Sequence, residues 1–77
     1  MKLLDKQILQ AHAQGNGFSL AELYLQAANE RENEGDVDAT CFFLTQAYVF
    51  ALECGSELAR DINRRLVAHG REEPLPD

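Results

Sequence analysis

The sequence predicts an all-α fold, a small antiparallel bundle of about four helices assembled from helix hairpins like a repeat. Two observations lead there. Glycines paired with capping residues break the chain at Gly15-Asn16-Gly17, Gly35-Asp36, Gly55-Ser56 and Gly70. Between the breaks, apolar residues recur at spacings of three and four, the period of a single helix face. The composition agrees, with 45% hydrophobic and 26% charged residues among 77, far from the low-hydrophobicity range in which chains stay disordered. A single domain over residues 1–70 is expected. A chain this short buries only about 60% of the surface it exposes when unfolded, so its stability should be marginal.

The first helix, residues 2–13, carries Leu4, Ile8 and Ala11 as one modest apolar stripe. The second is expected from Leu20 to Glu34. Ser19 supplies the cap and Glu22, three residues on, completes a capping box. Its buried face is Leu20, Leu23, Tyr24, Ala27 and Ala28, where the two alanines let a neighbouring helix come close. Asp36 caps the third helix, which runs through AYVFALEC to Gly55 and is the most apolar segment of the chain.

This third helix should be central. At about 100° per residue, Val37, Cys41, Leu44, Tyr48 and Leu52 share one side, and Phe43, Ala47, Phe50, Ala51 and Cys54 make much of the other. A helix apolar over two faces is covered on both. Phe42 and Val49, seven apart, fall in the remaining polar sector with Asp38, Thr45, Gln46 and Glu53. Either the first helix or the tail covers them, or they form an apolar anchor for a partner chain.

Ser56 opens the fourth helix, residues 57–69, with Leu58, Ala59, Ile62 and Leu66 inward and Arg60, Arg64 and, if the helix extends so far, Arg71 on the far side. Glu57 and Asp61 stand at pairing distance from this basic stripe and from Arg65, which reads as a solvated, salt-bridged face. The tail 71–77, with two prolines and no apolar pattern, is expected to be disordered.

The totals limit the function. A net charge of -6 repels phosphate backbones and anionic headgroups, which argues against nucleic acid and membrane partners. No apolar run approaches the roughly 20 residues of a bilayer span, and Asp5, Lys6 and Gln7 interrupt any leader-like segment, so a cytoplasmic location is expected. Cys41 and Cys54 lie on one helix about 20 Å apart along its axis, too far for a disulfide. With His12 and His69 far apart in sequence, a zinc site has little support and no cofactor is expected. No catalytic constellation stands out, and the chain reads as non-enzymatic.

One stretch, ERENEGDVDATC at residues 30–41, places acids at alternate positions around a glycine. Counted from Glu30, the calcium-loop template is met by Glu32, Glu34, Gly35, Asp36, Val37 and Asp38. It fails at position 12, where Cys41 replaces the bidentate glutamate. A turn explains more: Gly35 ends one helix and Asp36 caps the next. The crowding of Glu30, Glu32 and Glu34 at a helix C-terminus, which the macrodipole disfavours, reads either as an accident of an acidic surface or as a hint of a cationic partner.

GFSLAELY from Gly17 aligns with GSELARDI from Gly55 at an offset of 38 residues, matching the glycine, Leu20 with Leu58 and Ala21 with Ala59. Residues 35–66, with an acidic turn, an aromatic-rich helix bearing Ala47 and Ala51, the Gly55 turn and Leu58-Ala59, resemble the Sel-one-like helical repeats, relatives of the tetratricopeptide repeats. About one and a half units are present, and the glycine-rich loop usual within a unit is reduced to Glu34-Gly35-Asp36. The resemblance implies a scaffold for protein contacts and assigns no binding residue. The expected function is therefore a small protein-interaction module, with a homodimer among its possible assemblies, using Phe42, Val49 and the acidic residues Glu30, Glu34 and Asp38. The alternative is a cation-responsive helix-loop-helix protein centred on the acidic turn 30–38.

Overall fold

A computed structural model describes residues 2–76. Four helices follow in order: α1 (Leu3–Gln14), α2 (Gly17–Asn33), α3 (Val37–Cys54) and α4 (Leu58–Ala68). Among the described residues there is no strand, so the expected all-α class is the observed one. Each helix packs on the next, and α2 against α3 is the most extensive of these contacts.

All four helices end in the same way. After α1, α2, α3 and α4, a glycine at φ of 64°, 79°, 69° and 71° turns the chain into the left-handed region. At α3 the Gly55 N–H bonds the Leu52 carbonyl at 3.3 Å and the Ser56 N–H bonds that of Ala51 at 2.8 Å. This Schellman pair satisfies carbonyls that the helix leaves open, and the same two bonds recur after Gly15, Gly35 and Gly70. Short, strict stops make neighbouring helices antiparallel and leave turns of two or three residues between them.

The starts differ more. Asp36 caps α3 as expected, its Oδ1 accepting the Ala39 N–H at 3.0 Å. Ser19 does not cap α2. Asn16 does, accepting the Ser19 N–H at 3.1 Å, and the helix begins three residues earlier at Gly17. An asparagine already stood at the break, and its side chain reaches the same amide that a later cap would leave free. Ser56 Oγ accepts the Leu58 N–H at 3.2 Å and so starts α4.

The core is one layer of small and medium side chains: Ala21 and Ala28 from α2, Cys41, Leu44, Ala47, Tyr48 and Ala51 from α3, and Ala59, Ile62 and Leu66 from α4. Alanines at the α2–α3 seam let the backbones approach, which places α3 at the centre. By length and composition α3 would also pass for a membrane span, as a core helix covered on two sides does. Both cysteines are free thiols.

Two expectations about this helix are corrected. Val37 and Leu52, assigned to its buried side, are each 50% exposed. Val37 occupies the first turn, beyond the end of its neighbours, and Leu52 falls just past the edge of the buried arc that Leu44 and Tyr48 define. The tail is corrected too. Residues 71–76 lie against α4, with Leu75 packed on the core, where disorder was expected; Met1 and Asp77 lie outside the described residues.

Candidate interaction surface

The third side of α3 is open. Phe42 is 58% exposed, Val49 45% and Leu52 50%. With Thr45 they follow spacings of three, four and three, so they form a single row along the helix. The α1 helix instead covers the flank that carries Phe43 and Phe50, where Tyr24 stacks on Phe50 with ring centroids 5.9 Å apart. The expectation that α1 or the tail would cover Phe42 and Val49 is overturned. The α1 helix is too far round the cylinder, and the tail runs along α4. Phe42 is braced from one side only, its ring edge-on to Phe43 at 5.3 Å.

Charges border the row. Arg71 Nη2 donates to Asp38 Oδ1 at 2.7 Å, and this hydrogen bond is the main cause that raises the Arg71 guanidinium above its ordinary value. Asp38, Phe42, Thr45 and Arg71 line one open recess. At the opposite end Glu53 is exposed.

The acidic turn is less open than its sequence suggests. Residues 30–41 form a helix end, a turn and a helix start rather than a loop. Glu34 pairs with Arg31 at 2.9 Å, Glu32 with Arg65 of α4 at 3.4 Å, and Asp38 with Arg71. Glu30 sits apart, beside Lys2 and Asp5. Among the described residues no group of three or more His, Cys, Asp or Glu side chains converges as a metal site. The crowding of acids is thus offset mainly by arginines of the same chain. Each exposed pair contributes little energetically, about 0–1 kcal/mol.

The basic stripe of α4 also divides. Arg64 pairs with Asp61 at 3.3 Å, Arg65 reaches across to α2, and Arg71 follows the Gly70 turn to α3 instead of extending the helix. So Phe42, Val49 and Asp38 share one face of α3, whereas Glu30, at the C-terminal end of α2, and Glu34, which caps it, do not line the recess beside Phe42.

Two residues escaped the sequence reading. Leu52 extends the open row, and its spacing from Val49 was the available signal. Asn63 is buried, at 4% exposure, on the α4 face that also carries Ala59, Ile62 and Leu66. A polar residue among apolar ones at helical spacing is a signal that something is bonded there. Its Nδ2 donates to the Glu73 carbonyl at 2.9 Å and to the Tyr48 hydroxyl at 3.3 Å, and its Oδ1 accepts the Leu75 N–H at 3.2 Å.

Comparison of the chain with protein-family models, with curated proteins and with solved structures returns no match.

Proposed function

We propose that this chain is a small non-enzymatic α-helical module that binds another protein through the open row of α3. The observation that carries the reading is the exposure of Phe42, Val49 and Leu52 on one helix face. Three apolar side chains in register, bordered by Asp38, Arg71 and Glu53, form a surface that costs free energy in water and gains it on contact. A helix face with anchors three and four residues apart suits a second helix laid along it.

A second copy of the chain meets that requirement, because a two-fold arrangement would set the row against itself and bury both copies at once. The succession of short antiparallel helices also supports the resemblance to Sel-one-like repeats, whose scaffolds hold proteins rather than transform small molecules. The row, however, needs no repeat ancestry to act as an anchor.

The test is solution mass by light scattering across micromolar concentrations, for the natural chain and for Phe42→Glu. Association by the natural chain that disappears in a fully helical Phe42→Glu chain supports the homodimer. A natural chain that stays monomeric, and whose amide resonances at Phe42, Val49 and Leu52 do not move in the presence of cell extract, overturns the reading.

A further inference from the structure

Asn63 holds the segment 72–76 by its backbone. A side-chain carboxamide presents a donor and an acceptor side by side, and so matches the carbonyl of one residue and the N–H of the residue two further on. Here those are the Glu73 carbonyl and the Leu75 N–H. Pro74 between them fixes its own φ and pushes Glu73 toward extended backbone, and Pro76 does the same to Leu75. The segment is therefore an extended strap. It returns along α4 from the Arg71–Asp38 pair toward the beginning of that helix, where Leu75 packs on the core and lines one recess with Ala51 and Leu52.

This way of holding a chain is not specific to the chain's own sequence. The bonds go to main-chain atoms that every peptide offers, and one side chain, Leu75, enters the apolar surface. Pro74 and Pro76 line a shallow recess together with Arg60 and Arg64, while Arg64 pairs with Asp61 and the Glu72 carboxylate accepts the Glu73 N–H at 3.0 Å. The two elements have separate roles: backbone pairing at Asn63 and an apolar seat for one leucine. Peptide recognition uses the same division, in which main-chain bonds supply affinity and side-chain seats supply selectivity.

We infer that the groove between α3 and α4 is a binding site for an extended peptide segment of another protein, a leucine flanked by prolines. In this structure the chain's own residues 72–76 occupy it as a stand-in. The strap then gates the site. A peptide in trans must displace it, and its apparent affinity is reduced by the fraction of chains in which the strap is off. The groove adjoins the open row of α3 at Leu52, but the inference does not depend on what binds Phe42.

The probe is a synthetic Glu-Glu-Pro-Leu-Pro peptide, blocked at both ends and fluorescently labelled, titrated into the natural chain and into Leu75→Pro. That substitution removes both the N–H that Asn63 accepts and the leucine that fills the seat, while leaving the strap extended. The expected result is a Kd at least tenfold lower for Leu75→Pro than for the natural chain, with a shift of the Asn63 side-chain amide resonance on binding. Hydrogen exchange of the natural chain supplies the second measurement: the Leu75 amide should be protected, yet open more readily than the amides of Leu44 and Ile62. A helical Leu75→Pro chain that binds no peptide overturns the inference. So does loss of helicity in that variant, or a Leu75 amide that opens only with global unfolding, because the strap would then be a permanent part of the fold.

Discussion

His12 Nε2 and the Tyr24 hydroxyl lie 2.9 Å apart, and this bond joins α1 to the rest of the molecule at a point where few other contacts do. Only Ala11 of α1 is buried. The imidazole also meets the Tyr24 and Phe50 rings edge-on, with centroids 5.8 and 5.7 Å away. A histidine that read as isolated in sequence is therefore the polar end of an aromatic cluster. Replacing it by alanine removes one exposed hydrogen bond and two edge contacts, about 1 kcal/mol together. In His12→Ala the α1 amides should exchange roughly fivefold faster while those of α3 stay unchanged. Equal acceleration throughout would show that α1 unfolds only with the whole domain.

The glycines predict opposite signs for one substitution. At Gly55 an added Cβ meets nothing within 4 Å, but the residue holds φ of 69°. An alanine there suffers only the left-handed conformation, about 1 kcal/mol. Gly17 lies inside α2 with ordinary φ, and its added Cβ would make normal contact with Cys54 Cβ at 3.6 Å. Alanine at that site should stabilise by about 0.5 kcal/mol, chiefly by restricting the unfolded chain. Chemical denaturation of the two variants should move the midpoint in opposite directions.

Asn63 sets a third expectation. Alanine at this position leaves the Glu73 carbonyl, the Leu75 N–H and the Tyr48 hydroxyl without their partner, and water reaches the strap groups more easily than the hydroxyl. The cost should be about 1–2 kcal/mol. Protection of the Leu75 amide should disappear, while Ile62 on the same helix keeps most of its own. If Leu75 remains protected in Asn63→Ala, the strap is held by its leucine and prolines alone.

Helix ends were legible because their chemistry is local. Gly35 followed by Asp36 is a stop and a start within two residues, and the structure uses both. Asn16 and Ser19 misled because two good caps stood three residues apart, and only the packing of α2 against the end of α3 favours the earlier one. The faces of α3 were legible in order but not in extent. Periodicity orders Leu44, Leu52 and Phe42 around the cylinder, whereas how far the covered arc reaches depends on where α1 and α4 lie, which no local pattern encodes. The strap was illegible for a related reason. Its prolines have no period, and its docking depends on Asn63, a residue distant in sequence that matters because its carboxamide faces inward.

Phe42 and Leu44 are two residues apart on α3 and should respond to mutation in opposite ways. Leu44 is 0% exposed at the centre of the core, and Leu44→Ala should cost about 3 kcal/mol through lost burial and an unfilled cavity. In a domain whose total stability is on the order of 5 kcal/mol, that change alone should leave about 2 kcal/mol and lower the urea midpoint by more than half. Phe42 keeps more than half its surface in water, so Phe42→Glu should shift folding stability by no more than about 0.5 kcal/mol. Its effect should instead be on association. Urea titrations of both variants, run beside the light-scattering measurement, separate the two. A large loss of stability in Phe42→Glu would mean that its edge contact with Phe43 supports the fold, and the open row would then begin at Val49.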